Sequence, residues 1–251
     1  MSRHCYGSAR DQHGSLRLPR GQAPAGGFPV AVLIHGGSWS TRYGKIVVWQ
    51  LQRDLARRGW AAWNIEYRRV GERSGGGWPQ TGADVLAAID LLAEIDAPLD
   101  LTRVAVLGHS AGGQLALFAA AERAANPGAA GAGVRLQAVV AMAAPCDLER
   151  SVREGAPTIE HFMGGHPDVV PEHYAQASPI ARAPLGVPTL LVHGDADRIV
   201  SFGSSKRYAD RAGALGDDAT LVAIDGAGHQ VHLNPRGEAW AAAVSWLERF
   251  R

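Results

Sequence analysis

Residues 103–125, "RVAVLGHSAGGQLALFAAAERAA", hold an apolar run, a cluster of glycines around one serine, and a helical pattern with no gap between them. Val104 to Leu107 form the run. Gly108, Gly112 and Gly113 then crowd a turn with Ser110 at its apex. A turn that converts a strand directly into a helix forces flanking side chains against backbone, and glycine removes that collision and tolerates strained dihedrals. The spacing Gly108-x-Ser110-x-Gly112 is that of a nucleophile elbow. The hydroxyl would stand in a cleft at the positive end of the following helix.

Working outward, short apolar runs alternate with amphipathic stretches. "FPVAVLIHGG", "WAAWNIEY", "RLQAVVAMAAP", "VPTLLVHG" and "ATLVAIDG" read as further strands. In "KIVVWQLQRDLARRG", Val48, Leu51 and Leu55 fall on one helix face, and Gly59 supplies a stop. "TGADVLAAIDLLAEID" places Val85, Ile89 and Leu92 together. A last helix carries Trp240, Ala243, Val244 and Leu247, with Asn234-Pro235 as its N-cap and first turn. Such alternation predicts an α/β fold: a mostly parallel sheet with helices on both faces. The 251 residues read as one domain, 1–251, without repeat or linker. Residues 147–179, rich in proline, histidine and charge, exceed an ordinary connection and read as a small cap over the sheet.

Composition narrows the partners. A net charge of +1 without a basic tail gives no reason to expect nucleic acid. Arginine is abundant while Lys45 and Lys206 are the only lysines, which reads as coding bias. Cys5 and Cys146 form no metal or redox motif, and a reducing compartment fits them better than a disulfide. "MSRHCYGSAR" lacks a signal-peptide apolar core, and no segment approaches the roughly 20 apolar residues of a membrane span. A soluble, cytoplasmic protein is expected; its oligomeric state is left open.

A serine hydroxyl needs a base, and the base needs an orienting acid. In this kind of sheet the order is Ser, then Asp or Glu, then His. "LLVHGDADRIV" and "IDGAGHQVH" supply acid and base just past two successive strands. Asp195 lies close enough to its strand to cap the turn, so Asp197 is favoured as the acid. His229 follows its turn directly and is favoured over His232, which is expected to be solvated or cap-facing. "HGGSW", residues 35–39, lies where esterases carry an oxyanion loop. The amides of Gly37, Ser38 and Ala111 could converge on a tetrahedral oxyanion, a donor of this kind being worth about 3 kcal/mol of barrier. His35 is expected to be satisfied by backbone.

Taken together, these residues resemble the α/β-hydrolase superfamily, in particular small HGGxW esterases and kynurenine-formamidase-like hydrolases. The resemblance runs from "YGSARDQHGSLRLP" through "HGGSW", "NIEYRRVGE", "GGGWP", "GHSAGG", "MGGHPDVVPEHYAQASP", "HGDADRIV" and "DGAGHQ" to the helix of Trp240. It implies Ser110 as nucleophile, Asp197 as acid, His229 as base, and Gly37, Ser38 and Ala111 as oxyanion hole. Two departures bear on substrate preference: Ser201 stands where relatives often have proline, and Gln230 where they often have an aromatic residue.

Other features have plainer readings. Glu66-Tyr67-Arg68 reads as a structural ion pair, with Arg68, Arg69 or Arg73 as partner, ahead of an anchor for an anionic substrate. Trp39 and Trp78 could wall a substrate pocket or simply pack. The spacing of His161, His166 and His173 matches no metal-ligand set, so no metal is expected. No phosphate-binding glycine loop is present, and no cofactor is expected. The expected activity is hydrolysis of small to medium carboxylic esters through an acyl-enzyme, falling below about pH 6.5, where a histidine base becomes protonated. Arylformamidase action on N-formylkynurenine, acyl transfer or cyclisation, and a non-catalytic binding role on the same fold are the alternatives.

Overall fold

The computed structural model describes residues 1–126 and 133–251. Its centre is β3 (Phe28–Ile34), in which all seven residues are buried. Such an unbroken apolar run marks a strand covered on both faces. The pleat sorts its side chains: Val30, Val32 and Ile34 join one core layer, and Ala31 and Leu33 the other.

Around β3 lie β1 (Ser2–Cys5), β2 (His13–Arg17), β4 (Ala61–Ile65), β5 (Leu99–His109), β6 (Leu136–Met142), β7 (Thr189–Gly194) and β8 (Ala219–Ile224). The sheet order is β1-β2-β4-β3-β5-β6-β7-β8. The pairs β1/β2 and β2/β4 are antiparallel and the remaining pairs parallel. The strand β1 escaped the sequence reading; its four residues are mostly exposed and show no apolar pattern.

One face is covered by α1 (Trp49–Arg57) and α9 (Glu238–Leu247), and the other by α2 (Gln80–Asp90) and α3 (Ala111–Ala125). Val48, Leu51 and Leu55 are buried as the spacing requires, and so are Val85, Ile89 and Leu92. The last helix starts later than its sequence suggests. Asn234 and Pro235 belong to a separate turn, in which the Asn234 side chain accepts from the Arg236 amide at 3.0 Å, and Gly237 is the N-cap. The short polar side chain satisfies its own local turn instead of a helix end.

Residues 147–179 lie between β6 and β7. They hold α4 (Leu148–Arg153), α5 (Pro157–Met163) and α6 (Pro171–Ala177), and α7 (Pro179–Arg182) leads back to the sheet. Phe162 fastens this cap, stacking on Trp39 with ring centroids 4.3 Å apart and meeting Trp78 edge-on. After β7 comes α8 (Phe202–Ala214), whose Ser201 N-cap accepts from the Gly203 amide. Cys5 and Cys146 are both free thiols, one exposed and one buried. Among the described residues no helix is long and apolar enough to cross a membrane.

Candidate active site

The order of strands reverses at β3, with β4 on one side and β5 on the other. Loops leaving the carboxyl ends there diverge and open a crevice, the place where α/β sheets bind ligands. Two loops meet in it. The chain after β3 comes so close to the end of β5 that a Cβ on Gly36 would stand 2.6 Å from the His109 carbonyl oxygen.

Ser110 joins β5 to α3 with φ 54° and ψ −123°, a left-handed conformation that a side chain adopts only when its surroundings impose it. Its amide donates to the Met142 carbonyl of β6 at 2.8 Å. The glycines serve close approach: a Cβ on Gly108 would meet the Gly112 carbonyl oxygen at 2.0 Å, and one on Gly112 would meet that of Ile34 at 2.1 Å. Helix and strands therefore touch backbone to backbone, and Ser110 faces a cavity of about 280 Å3 shared with His229.

His229 lies after β8 and Asp197 after β7. The His229 Nδ1 donates to Asp197 Oδ2 at 2.7 Å, between side chains almost entirely shielded from water. Because the carboxylate only accepts, the proton sits on Nδ1 and leaves Nε2 as an acceptor. Burial would raise the Asp197 pKa, but hydrogen bonds from His193, His229 and the Ile199 and Val200 amides outweigh it and hold the carboxyl well below the usual range. The two amides reach Oδ1 at 2.8 and 3.0 Å, and His193 Nε2 lies 3.2 Å from Oδ2. Asp195 instead accepts from the Gly226 amide at 2.8 Å, tying the β7 and β8 loops together.

Three further histidines support this pair. His193 Nε2 also faces the Val200 carbonyl at 2.9 Å, and its Nδ1 lies 2.7 Å from the Ser205 hydroxyl. Both neighbours of Nε2 are acceptors, so Nε2 carries the proton and Nδ1 accepts from Ser205. The His229 carbonyl accepts from His109 Nε2 at 2.9 Å and from His232 Nδ1 at 3.1 Å. His232 is fully buried, against the expectation of a solvated or cap-facing residue. Burial keeps both rings neutral, lowering the pKa of His109 to about 3 and that of His232 to about 4. Three bonds thus fix His229, one on the ring and two on its backbone oxygen.

Gly37, Ser38 and Trp39 run through positive φ of 116°, 52° and 52°, turning the chain sharply at the crevice. Gly37 and Ser38 line the cavity with Ser110, and among the described residues their amides donate to no acceptor. Ala111 opens α3, where the first amides lack intrahelical acceptors. The loop is pinned from beneath. His35 Nε2 meets Glu66 Oε1 at 2.7 Å and its Nδ1 faces the Gly36 carbonyl at 2.7 Å, so side chain and backbone both satisfy it. Glu66 also pairs with Arg69 at 3.1 Å, and Arg69 with Asp11 at 3.0 Å. Burial opposes ionisation of Glu66, but His35, the Lys45 amide and Arg69 together lower its pKa. Arg68 makes a separate pair with Asp84 at 2.7 Å. The Glu66–Arg69 segment is thus an internal brace.

Trp39 and Trp78 line neither the cavity at Ser110 nor the larger one beside it. Both are buried in the packing between cap and sheet, their indole N–H groups donating to Gln114 and Gln176. The walls beside Ser110 come from Tyr43, Val47, Ile199 and Leu233, which the sequence reading missed because they sit on irregular segments. A second cavity of about 570 Å3 shares Gly37, Ser38 and Tyr43 with the first and extends under α5. The cap histidines do not gather: His161 lines this second cavity, His166 pairs with Asp168, and His173 bonds the Met163 carbonyl.

The sheet order, the strained serine turn and the loops beyond β3, β7 and β8 define an α/β-hydrolase fold. Within that class the chain belongs to the BD-FAE family, whose family model matches residues 16–211. It is 28% identical to Esterase LipC of Mycobacterium tuberculosis (strain ATCC 25618 / H37Rv) over 257 aligned residues, covering 92% of this chain and 62% of that protein. It is also 28% identical to Esterase LipQ of the same organism, covering 74% of this chain and 46% of LipQ. The chain therefore spans about half to three-fifths of the length of these curated relatives. Among solved structures, a truncated carbohydrate esterase from gut microbiota superposes with a TM-score of 0.84 at 22% identity, covering 99% of this chain and 95% of that one. The propionate-bound esterase Est2 of Thermogutta terrifontis gives 0.78 at 22%, covering 99% and 92%. At such identities the likeness establishes the fold.

Proposed function

We propose that the protein is a serine hydrolase of carboxylic esters, with Ser110 as nucleophile, His229 as base and Asp197 as the acid that orients it. The observation that carries this reading is the 2.7 Å Asp197–His229 bond beside a serine held at φ 54° in the same cavity. The Asp197 carboxylate fixes the His229 tautomer and stabilises the imidazolium formed when Nε2 takes the Ser110 proton. Ser110 Oγ bonds to the acyl carbon, and the amides of Gly37, Ser38 and Ala111 receive the negative oxygen. His229 then returns its proton to the departing alcohol. Water, activated by the same base, releases the acid and restores the serine.

The esterase names of LipC and LipQ support the reaction class, and the short cap supports small to medium substrates. The test compares wild type with Ser110→Ala on p-nitrophenyl esters of graded chain length, with N-formylkynurenine in the same plate. The expected result is ester turnover that falls at least about 10⁴-fold in the variant, together with fluorophosphonate labelling lost from it. Equal inertness of both proteins, without labelling of the wild type, refutes the reading. Faster turnover of N-formylkynurenine than of every ester moves the assignment to a formamidase.

A further inference from the structure

We propose that the larger cavity is an acyl subsite for ester substrates whose acyl chain ends in a carboxylate, with Arg42 and His161 as the groups that recognise it. This rests on the serine-esterase reading and adds a substrate class to it.

The two cavities share Gly37, Ser38 and Tyr43 and differ in what else they touch. His229 must protonate the departing oxygen, so the alcohol lies on the side of His229, Gln230 and Leu233, within the smaller cavity. The larger one contains neither Ser110 nor His229 and begins at the residues that flank the carbonyl oxygen. The remaining substituent of the tetrahedral carbon, the acyl chain, is directed there. At about 570 Å3 the cavity falls in the range of small-ligand sites.

Its walls are chemically one-sided. Arg42 comes from the loop after β3 and His161 from α5 of the cap, joined by the hydroxyl-bearing Ser40 and Thr158. Among the described residues, no carboxylate lines it. Among the described residues, neither the Arg42 guanidinium nor the His161 ring has a hydrogen-bonding or ion-pair partner within the protein. The wall is held in shape by backbone bonds: Ser40 N to Gly37 O, Thr41 N to Val70 O, and Val70 N to Trp39 O, between 2.7 and 3.1 Å. An unpaired guanidinium and an imidazole, both exposed on the lining of one cavity, suit a planar anion with two acceptor oxygens.

The reaction is ordinary hydrolysis. The Ser110 Oγ–acyl bond forms as the bond to the alcohol oxygen breaks, and water then adds OH to the acyl carbon and returns H to Ser110. The products are the alcohol and a dicarboxylic acid.

The experiment measures kcat/KM for 1-naphthyl half-esters of glutaric, adipic and suberic acids against the neutral pentanoate, hexanoate and octanoate. At low ionic strength the half-ester of the best-fitting length is expected to exceed its neutral partner about tenfold, carried mainly in KM. Arg42→Glu should lower that ratio by tenfold or more, Arg42→Lys should keep most of it, and His161→Gln should lower it partially. Added salt should flatten the preference, a response that lost packing would not produce. A ratio at or below one throughout the series, or one indifferent to both Arg42→Glu and salt, overturns the proposal. Calorimetric titration of wild type and Arg42→Glu with adipate reads the cavity without turnover. Binding to the wild type alone supports the subsite even if every ester is inert, which would instead refute the esterase reading; equal binding or none refutes the subsite.

Discussion

Two neutral imidazoles buried under the proposed base make the fold acid-labile in a calculable way. Consider His232→Gln, which keeps an N–H able to donate to the His229 carbonyl and removes the titrating group. An unfolded histidine protonates near pH 6.5, whereas His232 in the fold does so only at about 4. Between those values the unfolded chain holds a proton that the folded one refuses, so stability falls as pH drops through that window and levels off below it. From pH 7 to pH 5 this group alone removes about 2 kcal/mol. His109, with a folded pKa of about 3, removes about 2 kcal/mol more over the same interval. Urea denaturation of wild type and variant at pH 7, 6 and 5 separates the two contributions. The variant should lose about 2 kcal/mol less than the wild type between pH 7 and 5, and the protective effect should vanish above pH 7. Parallel stability curves for the two proteins would show that His232 takes up its proton in the fold as readily as in the unfolded chain, and the account of the doubly held His229 carbonyl would fail.

Other substitutions test other parts of the site. Asp197→Asn should lower kcat by about 10⁴ with little change in KM, because the amide no longer fixes the His229 tautomer; steady-state kinetics on a short p-nitrophenyl ester reads it. Gly112→Ala places a methyl 2.1 Å from the Ile34 carbonyl oxygen and should destabilise the chain by at least about 3 kcal/mol, seen as a lowered Tm or loss of soluble protein. Glu66→Ala leaves His35 and Arg69 without their shared carboxylate and should cost about 3–5 kcal/mol. Since the Glu66 carboxyl titrates below its ordinary range, its contribution is present above that range and fades as pH falls through the folded value. The stability gap between Glu66→Ala and wild type should therefore narrow in acid.

Much of this arrangement is legible in the chain because it is encoded locally. An all-buried strand needs an unbroken apolar run, so Phe28–Ile34 and Val104–Leu107 announce themselves. A strand that turns directly into a helix needs glycine wherever backbones touch, and Gly108 and Gly112 sit at those points. The order of Ser110, Asp197 and His229 follows from the order of the strands that carry them. The choice between Asp195 and Asp197 rests on reach that only the fold shows: Asp195 accepts from the Gly226 amide of the β8 loop, whereas Asp197 accepts the Ile199 and Val200 amides of its own turn and still meets His229.

What the sequence could not say concerns side chains whose partners lie far along the chain. His232 has the composition of a surface residue, yet its place is fixed by the His229 carbonyl and the enclosing core. His109, 120 residues before His229, becomes its support only because β5 ends beside the loop after β8. His193 shares Asp197 with His229 through the fold of one tight loop. Trp39 and Trp78 could have lined a pocket or filled a core; Phe162 of the cap, arriving from over 80 residues away, decides for the core. Periodicity and glycine placement report what the backbone must do next to itself. Which face of a histidine or tryptophan is buried, and against what, is settled only when distant segments compete for the same space.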